Sequence, residues 1–312
     1  MNVFQGDIIV VLGPTASSKT AFAAKLAKEM NGEVISADSR QVYRKMDIGT
    51  GKDYEDYIVN GVSVPYHLID ICPPGYKYNV YEYQKDFLKV YKEIKSRNKL
   101  SVLCGGTGMY IEAVLKGYKL IHVPPDEELR AALESRGLDE LKEILFSYTN
   151  QLHNTTDLTS KKRAIRAIEI AKYYAEHPKE DLSYPTINPL ILGIKFDRPT
   201  QRKRITERLK SRLESGMIEE VENLMETGLS KDDLMYYGLE YKYLALYLTG
   251  ELSYDQMFEK LNTAIHQFSK RQMTYFRRMQ KNGLDINWLD GNMSMEEKLR
   301  RTDEIISRWN SK

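Results

Sequence analysis

Short apolar runs alternate with amphipathic stretches over much of the chain. The runs span residues 8–12, 33–37, 100–104 and 190–196, and stretches with helical periodicity separate them. Strands buried on both faces have continuous apolar sequences, and their alternation with helices is typical of a largely parallel sheet covered by helices. The pattern therefore predicts an α/β fold with a parallel sheet core.

Two helices have clear start signals. Asn79 and Glu82 form a capping pair, after which apolar residues recur at spacings of three and four. Ser253 and Gln256 form a second pair, where a periodic stretch begins that runs to about Lys281. Such a pair satisfies backbone N–H groups that the first helical turn leaves without partners. We therefore expect one helix after Asn79 and a long one after Ser253.

The strand signal disappears between Pro124 and Pro185, where only helical patterns remain. We expect an all-helical insertion domain over 121–188. Residues 1–120 and 189–312 would then form the α/β core together, with the C-terminal helices belonging to the core.

The first apolar run leads into a loop, Gly13-Pro-Thr-Ala-Ser-Ser-Lys-Thr20, that a helical stretch follows. Backbone N–H groups of such a loop and of a helix N-terminus form a nest for phosphate oxygens, while Lys19 adds a positive charge. The Thr20 hydroxyl is placed to hold Mg²⁺. Ser18 stands where the pattern expects glycine, and an ordinary strand-to-helix turn is the alternative. The sequence predicts a phosphate-loop NTPase-like core that binds diphosphate through Gly13, Thr15, Ala16, Ser17, Ser18, Lys19 and Thr20.

The formal net charge of the 312 residues is only +2, but the basic side chains are clustered. The clusters lie at 161–166, 202–212 and 270–281. Such segregation can give a nearly neutral protein a basic groove suited to nucleic acid. The alternative is that each cluster is a solvated helix face with ion pairs.

Neither cysteine belongs to a recognisable ligand motif. Cys72 and Cys104 lack the spacing of a zinc site or a disulfide framework. No run approaches 18 uninterrupted apolar residues, and the first residues lack the regions of a signal peptide. We expect a cytoplasmic, monomeric protein with no membrane partner.

Further motifs follow the loop in a fixed order. They are Ile35-Ser-Ala-Asp38-Ser39-Arg-Gln41-Val-Tyr43, Met46-Asp47-Ile48-Gly49-Thr50, Tyr66-His67-Leu-Ile-Asp70, Gly105-Gly106-Thr107-Gly108-Met-Tyr110, Arg204-Ile-x-x-Arg208, Ser269-Lys270-Arg271-Gln272 and Trp288-Leu289-Asp290. Together with the loop, they resemble the bacterial tRNA dimethylallyltransferases, also called tRNA isopentenyltransferases. The resemblance implies transfer of the dimethylallyl group from dimethylallyl diphosphate to N6 of the adenosine adjacent to the anticodon in tRNA, with Mg²⁺ as cofactor.

The implied reaction needs a base and a set of cations. Adenine N6 is a poor nucleophile, so a base must take its proton. Asp38 ends the 33–37 run, at the strand edge where open α/β sheets bind ligands, although a turn or helix cap is the alternative. Cations must meet the charge on the departing diphosphate. The resemblance assigns Lys19 and Arg208 to catalysis and places Lys270 and Arg271 at the diphosphate, where an ion-pair role stays open for the last two.

The resemblance also implies contacts with tRNA. The residues concerned are Asp38, Ser39, Arg40, Gln41, Thr107, Arg130, Lys162, Arg163 and Arg166. Lys162, Arg163 and Arg166 are three and four residues apart, so a helix would present them on one face. The glycines of the loop 105–108 would let its backbone approach a ligand closely.

The chain departs from the family pattern at two places. Residues 155–160 replace the usual His-Pro-Asn-Asp, and 237–242 replace the usual Ile-Gly-Tyr-Lys, which suggests a divergent subgroup.

Three other functions stay open. An adenylate isopentenyltransferase would modify free AMP, ADP or ATP, a kinase would use ATP at the same loop, and a tRNA-binding protein would have an inactive site.

Overall fold

The computed structural model describes residues 1–149, 160–177 and 184–311. Its centre is a six-stranded sheet with the order β5-β2-β6-β1-β7-β8, in which every pairing is parallel. A short antiparallel pair, β3 and β4, stands apart from it. The strands are β1 Ile8–Leu12, β2 Gly32–Ser36, β3 Ile58–Val59, β4 Val62–Ser63, β5 Tyr66–His67, β6 Leu100–Gly105, β7 Pro189–Lys195 and β8 Ile286–Asp290.

The four predicted strands are present as β1, β2, β6 and β7, which confirms the α/β fold. β1 is central, and all five of its side chains are fully buried. β5 and β8 carry no comparable apolar run. β5 has two residues, and β8, at the other end of the strand order, has only two buried positions among its five residues. Their place in the sheet depends on pairing with neighbouring strands rather than on local sequence.

The described ranges contain twelve α-helices. They are α1 Lys19–Glu29, α2 Val80–Ser96, α3 Gly108–Leu115, α4 Glu127–Glu134, α5 Leu138–Tyr148, α6 Lys161–Glu176, α7 Arg198–Glu214, α8 Met217–Glu226, α9 Lys231–Tyr236, α10 Leu239–Leu248, α11 Tyr254–Lys281 and α12 Met295–Asn310. Both predicted capping pairs are present as reciprocal capping boxes, at Asn79 for α2 and at Ser253 for α11. One core cluster packs side chains of β1 against α1 and α12, including Ile9, Phe22 and Ile306.

The described chain forms two compact units. Met1–Tyr118 and Thr186–Lys312 form the α/β unit, and Lys119–Pro185 form the second, which corresponds to the insertion expected over 121–188. The described part of the second unit contains α4, α5 and α6 around its own apolar cluster. Among the described residues, no helix has both the length and the apolar character needed to cross a membrane.

Candidate active site

Three loops leave the sheet at the same edge. They follow β1, β2 and β6, which are neighbours in the sheet and run in the same direction. The loops carry the phosphate-loop sequence at 13–20, Asp38, and the glycine-rich segment 105–108. Parallel pairing therefore brings together three motifs that are separated by up to about 90 residues in the chain.

The phosphate loop has an unusual backbone. Ala16 and Ser18 have φ values of 59° and 56°, in the left-handed region. A side chain is disfavoured in this conformation, which explains why the motif usually has glycine at position 18. Gly13 has a different requirement, because a Cβ there would lie 2.7 Å from Ser17 Oγ and 2.8 Å from the Ile194 carbonyl oxygen. The loop therefore keeps its shape with a serine at the position of a glycine.

Side chains of α7 hold this loop from one side. Gln201 Nε2 donates to the Thr15 carbonyl at 2.7 Å, and Arg204 Nε donates to the Ala16 carbonyl at 3.0 Å. Arg204 also donates to Ser18 Oγ at 2.6 Å. The Ser18 hydroxyl thus accepts a hydrogen bond that glycine could not accept. Gln201 belongs to none of the motifs of the sequence analysis, so its bond to the loop was not predicted.

Gln272 of α11 connects two of the three loops. Its Oε1 accepts from the Thr15 N–H and its Nε2 donates to the Gly106 carbonyl, both at 2.9 Å. The side chain is buried, with 8% exposure. Lys270 and Arg271, which the sequence placed at the diphosphate, are exposed and do not line the cleft at the phosphate loop. The helical twist turns Gln272, rather than its basic neighbours, toward the loop.

Replacing Gln272 with Leu should weaken binding of inorganic diphosphate by roughly 30-fold or more, because two buried backbone groups lose their partners at roughly 1–3 kcal/mol each. Isothermal titration calorimetry measures this affinity directly. Gln267→Leu, at an exposed position of the same helix, is the matched control and should bind like the wild type. Equal affinities for the two variants would show that the link between the loops does not shape the site.

Asp38 lies beside the glycine-rich loop and is partly exposed. Its Oδ1 accepts from the Arg40 N–H at 2.9 Å, so one carboxylate oxygen has the turn-forming role that was the alternative to catalysis. The Ser39 N–H donates to Thr107 Oγ1 at 3.0 Å, and the Thr107 N–H donates to the Ala37 carbonyl at 3.1 Å. These bonds fix the backbone on both sides of Asp38. The predicted tRNA contacts of Ser39 and Thr107 stay predictions.

The glycines of segment 105–108 are required by packing within the protein. A Cβ at Gly105 would lie 2.2 Å from the Ala37 carbonyl oxygen, and one at Gly108 would lie 2.3 Å from Tyr275. The expectation that these glycines let a ligand approach is therefore wrong for these two positions, because protein atoms fill the space.

Gln41 is buried and bonded within the protein. Ser36 Oγ donates to its Oε1 at 3.0 Å, and its Nε2 donates to the Gly51 carbonyl at 2.9 Å. With 8% exposure, the side chain is not presented to a macromolecule. The structure therefore argues against the predicted tRNA contact and gives Gln41 a role in fixing the loop that leads to Asp53.

A cleft of about 330 Å³ opens over the phosphate loop. Lys19, Arg204 and Arg208 line it together with Asp53. Arg208 donates to Asp53 at 2.5 Å, and Arg212 lies 3.4 Å from the same carboxylate. Burial lowers the pKa of Lys19, although Asp38 and Asp53 act in the opposite direction. The cleft thus contains cationic side chains together with a carboxylate, Asp53, that pairs with two arginines.

The oxygen donors in the cleft suit Mg²⁺. The Thr20 hydroxyl, Asp53 and Asp56 line it, and hydroxyl and carboxylate oxygens are ligands that Mg²⁺ prefers. Burial, followed by the charge of Asp53, raises the pKa of Asp56. No cluster of three or more His, Cys, Asp or Glu in the described ranges forms a complete metal cage. The set fits a Mg²⁺ ion that keeps waters and phosphate oxygens in most positions.

In the helical unit, two of the predicted tRNA contacts hold a buried carboxylate. Arg130 and Arg166 both bond to Glu169, which is only 2% exposed, and Arg166 also donates to the Val123 carbonyl at 2.8 Å. Lys162 and Arg163 are exposed on the first turn of α6. The predicted common face of Lys162, Arg163 and Arg166 is therefore divided. Lys162 and Arg163 are exposed, whereas Arg166, together with Arg130 of α4, pairs with the buried Glu169.

Comparisons with known proteins agree with the resemblance. The IPP transferase family model matches residues 41–279, and the isopentenyl transferase model matches residues 6–62. "tRNA dimethylallyltransferase 2" of Bacteroides fragilis is 60% identical over 303 residues, covering 97% of this chain and 99% of that protein. "tRNA dimethylallyltransferase 1" of Parabacteroides distasonis is 56% identical over 301 residues, covering 96% and 98%. The crystal structure of a tRNA isopentenylpyrophosphate transferase from Bacillus halodurans is 31% identical, with a TM-score of 0.70 and coverage of 97% and 96%.

Proposed function

We propose that this chain, which belongs to the IPP transferase family, transfers the dimethylallyl group of dimethylallyl diphosphate to N6 of the adenosine adjacent to the anticodon in tRNA. Diphosphate is the leaving group. One observation supports this reaction above the others: the carboxylate of Asp38 and the cation of Arg208 both lie close enough to Lys19 to act on its charge, and Lys19 and Arg208 line the same cleft over the loop that follows β1. A base and a diphosphate site are the two parts that the chemistry needs.

Asp38 is the proposed base. The lone pair of adenine N6 is delocalised into the ring, so the new C–N bond forms well only if the N6 proton is taken away at the same time. The bond from the Arg40 N–H holds the carboxylate in one orientation, and the Ser39–Thr107 bond fixes the backbone next to it. The carboxylate therefore meets its substrate without having to reorganise.

Lys19 and Arg208 are proposed to stabilise the departing diphosphate. Negative charge grows on the leaving group as the allylic C–O bond breaks, and fixed cations lower the energy of that state. Arg208 must exchange Asp53 for the diphosphate, since the carboxylate holds it at 2.5 Å in this structure. Mg²⁺, bound near Thr20, would add further positive charge at the diphosphate oxygens. We further propose that the enzyme acts as a monomer and in the cytoplasm.

Lys162 and Arg163 are proposed to bind tRNA phosphates. Replacing both with Ala should weaken tRNA binding and lower the slope of log affinity against log salt by about 1–2, because each lost contact releases about one counterion fewer. Filter binding at several salt concentrations measures both quantities. Affinity for dimethylallyl diphosphate should not change, because its proposed site belongs to the α/β unit.

The matched control replaces Arg136 and Lys142 with Ala. These residues belong to the same unit, carry the same charge and pair with exposed acidic neighbours, Arg136 from the turn between α4 and α5 and Lys142 from α5. The control should bind tRNA like the wild type. Equal salt slopes for both double variants would remove Lys162 and Arg163 from the proposed interface.

One assay separates the proposed reaction from the free-nucleotide alternative. Radiolabelled dimethylallyl diphosphate is offered with bulk tRNA, AMP, ADP and ATP in parallel reactions. We expect label in tRNA alone. Label in AMP, with transfer unaffected by the Lys162/Arg163 double variant, would make the adenylate isopentenyltransferase the better assignment.

A further inference from the structure

An arginine and a tyrosine are stacked next to the proposed base. The Arg40 guanidinium carbon lies 5.4 Å from the ring centroid of Tyr236, at the end of α9. The backbone N–H of Arg40 is the group that bonds to Asp38, so this stacked pair begins two residues from the proposed base. Tyr236 is 39% exposed, so part of its ring is open to a ligand.

Buried neighbours hold the Tyr236 ring in place. It meets Tyr237 edge to face, with ring centroids 5.3 Å apart, and Tyr237 in turn meets Tyr43 at 4.7 Å. Both of these neighbours are almost fully buried. The Tyr236 hydroxyl lies 3.5 Å from the Tyr78 carbonyl oxygen. The exposed ring is therefore the outer member of a rigid aromatic row rather than a loose surface side chain.

The row stands where the chain departs from its family pattern. Tyr236 directly precedes the segment 237–242, in which this chain has Tyr-Gly-Leu-Glu-Tyr-Lys. Gly238 has φ of +137°, a conformation that side chains rarely adopt, so the chain turns sharply after the stacked residues. A substitution in this segment would therefore change the protein surface beside Asp38.

We propose that the Arg40–Tyr236 pair is a stacking platform for a base that neighbours the target adenosine in the anticodon loop. The inference rests on the proposed function. A target base must leave its stack to reach a carboxylate, and its neighbours then lose a stacking partner. Guanidinium planes and aromatic rings replace such partners in single-stranded RNA, and the positive charge suits the nearby phosphates.

The test uses an anticodon stem-loop RNA and two variants of Tyr236. Tyr236→Leu removes the ring, and we expect kcat/KM for the RNA to fall roughly 10-fold, the scale of one lost base stack. Tyr236→Phe keeps the ring and should stay within twofold of the wild type. Tyr254→Leu removes a similarly exposed tyrosine at the start of α11 and should have no effect. Affinity for dimethylallyl diphosphate should be the same in all of them.

Abasic RNAs identify the stacked base and separate stacking from a structural role. Removing the base that contacts the platform should lower wild-type kcat/KM by a similar factor. The same removal should lower the kcat/KM of Tyr236→Leu only slightly further. Arg40→Met serves as a second variant, with the same expected loss on intact RNA, and thermal melting of each variant monitors folding. Additive losses at both neighbouring positions would overturn the platform, as would a Tyr236→Leu variant with wild-type kcat/KM. A wild-type enzyme that does not modify the intact stem-loop would instead overturn the proposed function, and the platform with it.

Discussion

Asp38→Asn is expected to lower the single-turnover rate of prenyl transfer at least ~100-fold, the usual scale for losing a positioned general base. The amide keeps an oxygen that can accept from the Arg40 N–H, so the turn that this bond stabilises should survive. Thermal stability and tRNA affinity should therefore match the wild type. A rapid-quench assay with saturating enzyme measures the chemical step without product release.

Two outcomes would count against this role. A rate within a few fold of the wild type would show that the proton leaves to another group or to water. A variant that loses stability together with activity would favour the turn-forming alternative, because the carboxylate would then matter to the fold rather than to the reaction.

Lys19→Met is expected to lower the rate of the chemical step by about 100- to 1000-fold, as removal of a preorganised charge-stabilising group does in other enzymes. Met preserves the apolar length of the side chain and removes only the charge. Lys25→Met is the control, since Lys25 lies on the same helix and forms a partly exposed i,i+4 pair with Glu29, away from the cleft lining. If Lys19→Met changed tRNA affinity alone, Lys19 would have no place at the diphosphate.

The pH dependence of donor binding gives a second measurement on Lys19. Burial lowers the pKa of its ammonium group, so in the absence of ligand Lys19 loses its charge at a lower pH than an ordinary lysine. Diphosphate binding favours the charged form. Wild-type affinity for diphosphate should therefore decline as the pH rises through this lowered pKa. Lys19→Met should bind diphosphate weakly at every pH, and its affinity should not show the decline that comes from Lys19.

The local sequence was sufficient wherever a structural element depends on its own residues. The apolar runs predicted β1, β2, β6 and β7, because strands buried on both faces need continuous apolar side chains. The capping pairs predicted the starts of α2 and α11, because these bonds form within one turn of the chain. The phosphate loop, Asp38 and the family were identified for the same reason, since their motifs are contiguous.

Only the tertiary structure decided which side chains hold these motifs in place. Gln201, Arg204 and Gln272 are separated from the phosphate loop by about 190 to 260 residues, and nothing in their local patterns predicts the bonds to Thr15, Ala16 and Ser18. The sequence analysis instead placed Lys270 and Arg271 at the diphosphate because they are basic, and both side chains are exposed to solvent in the structure.

The basic segment of α6 illustrates the same limit. The sequence places four cationic side chains on its first turns, but it does not show which of them face Glu169 and which face solvent. A buried carboxylate needs cationic partners, and packing against α4 selects Arg166 together with Arg130 for that purpose. The sequence by itself determined the fold and the family, and it predicted the chemical groups of the site. The contacts that orient those groups come from distant parts of the chain, so folding alone decides them.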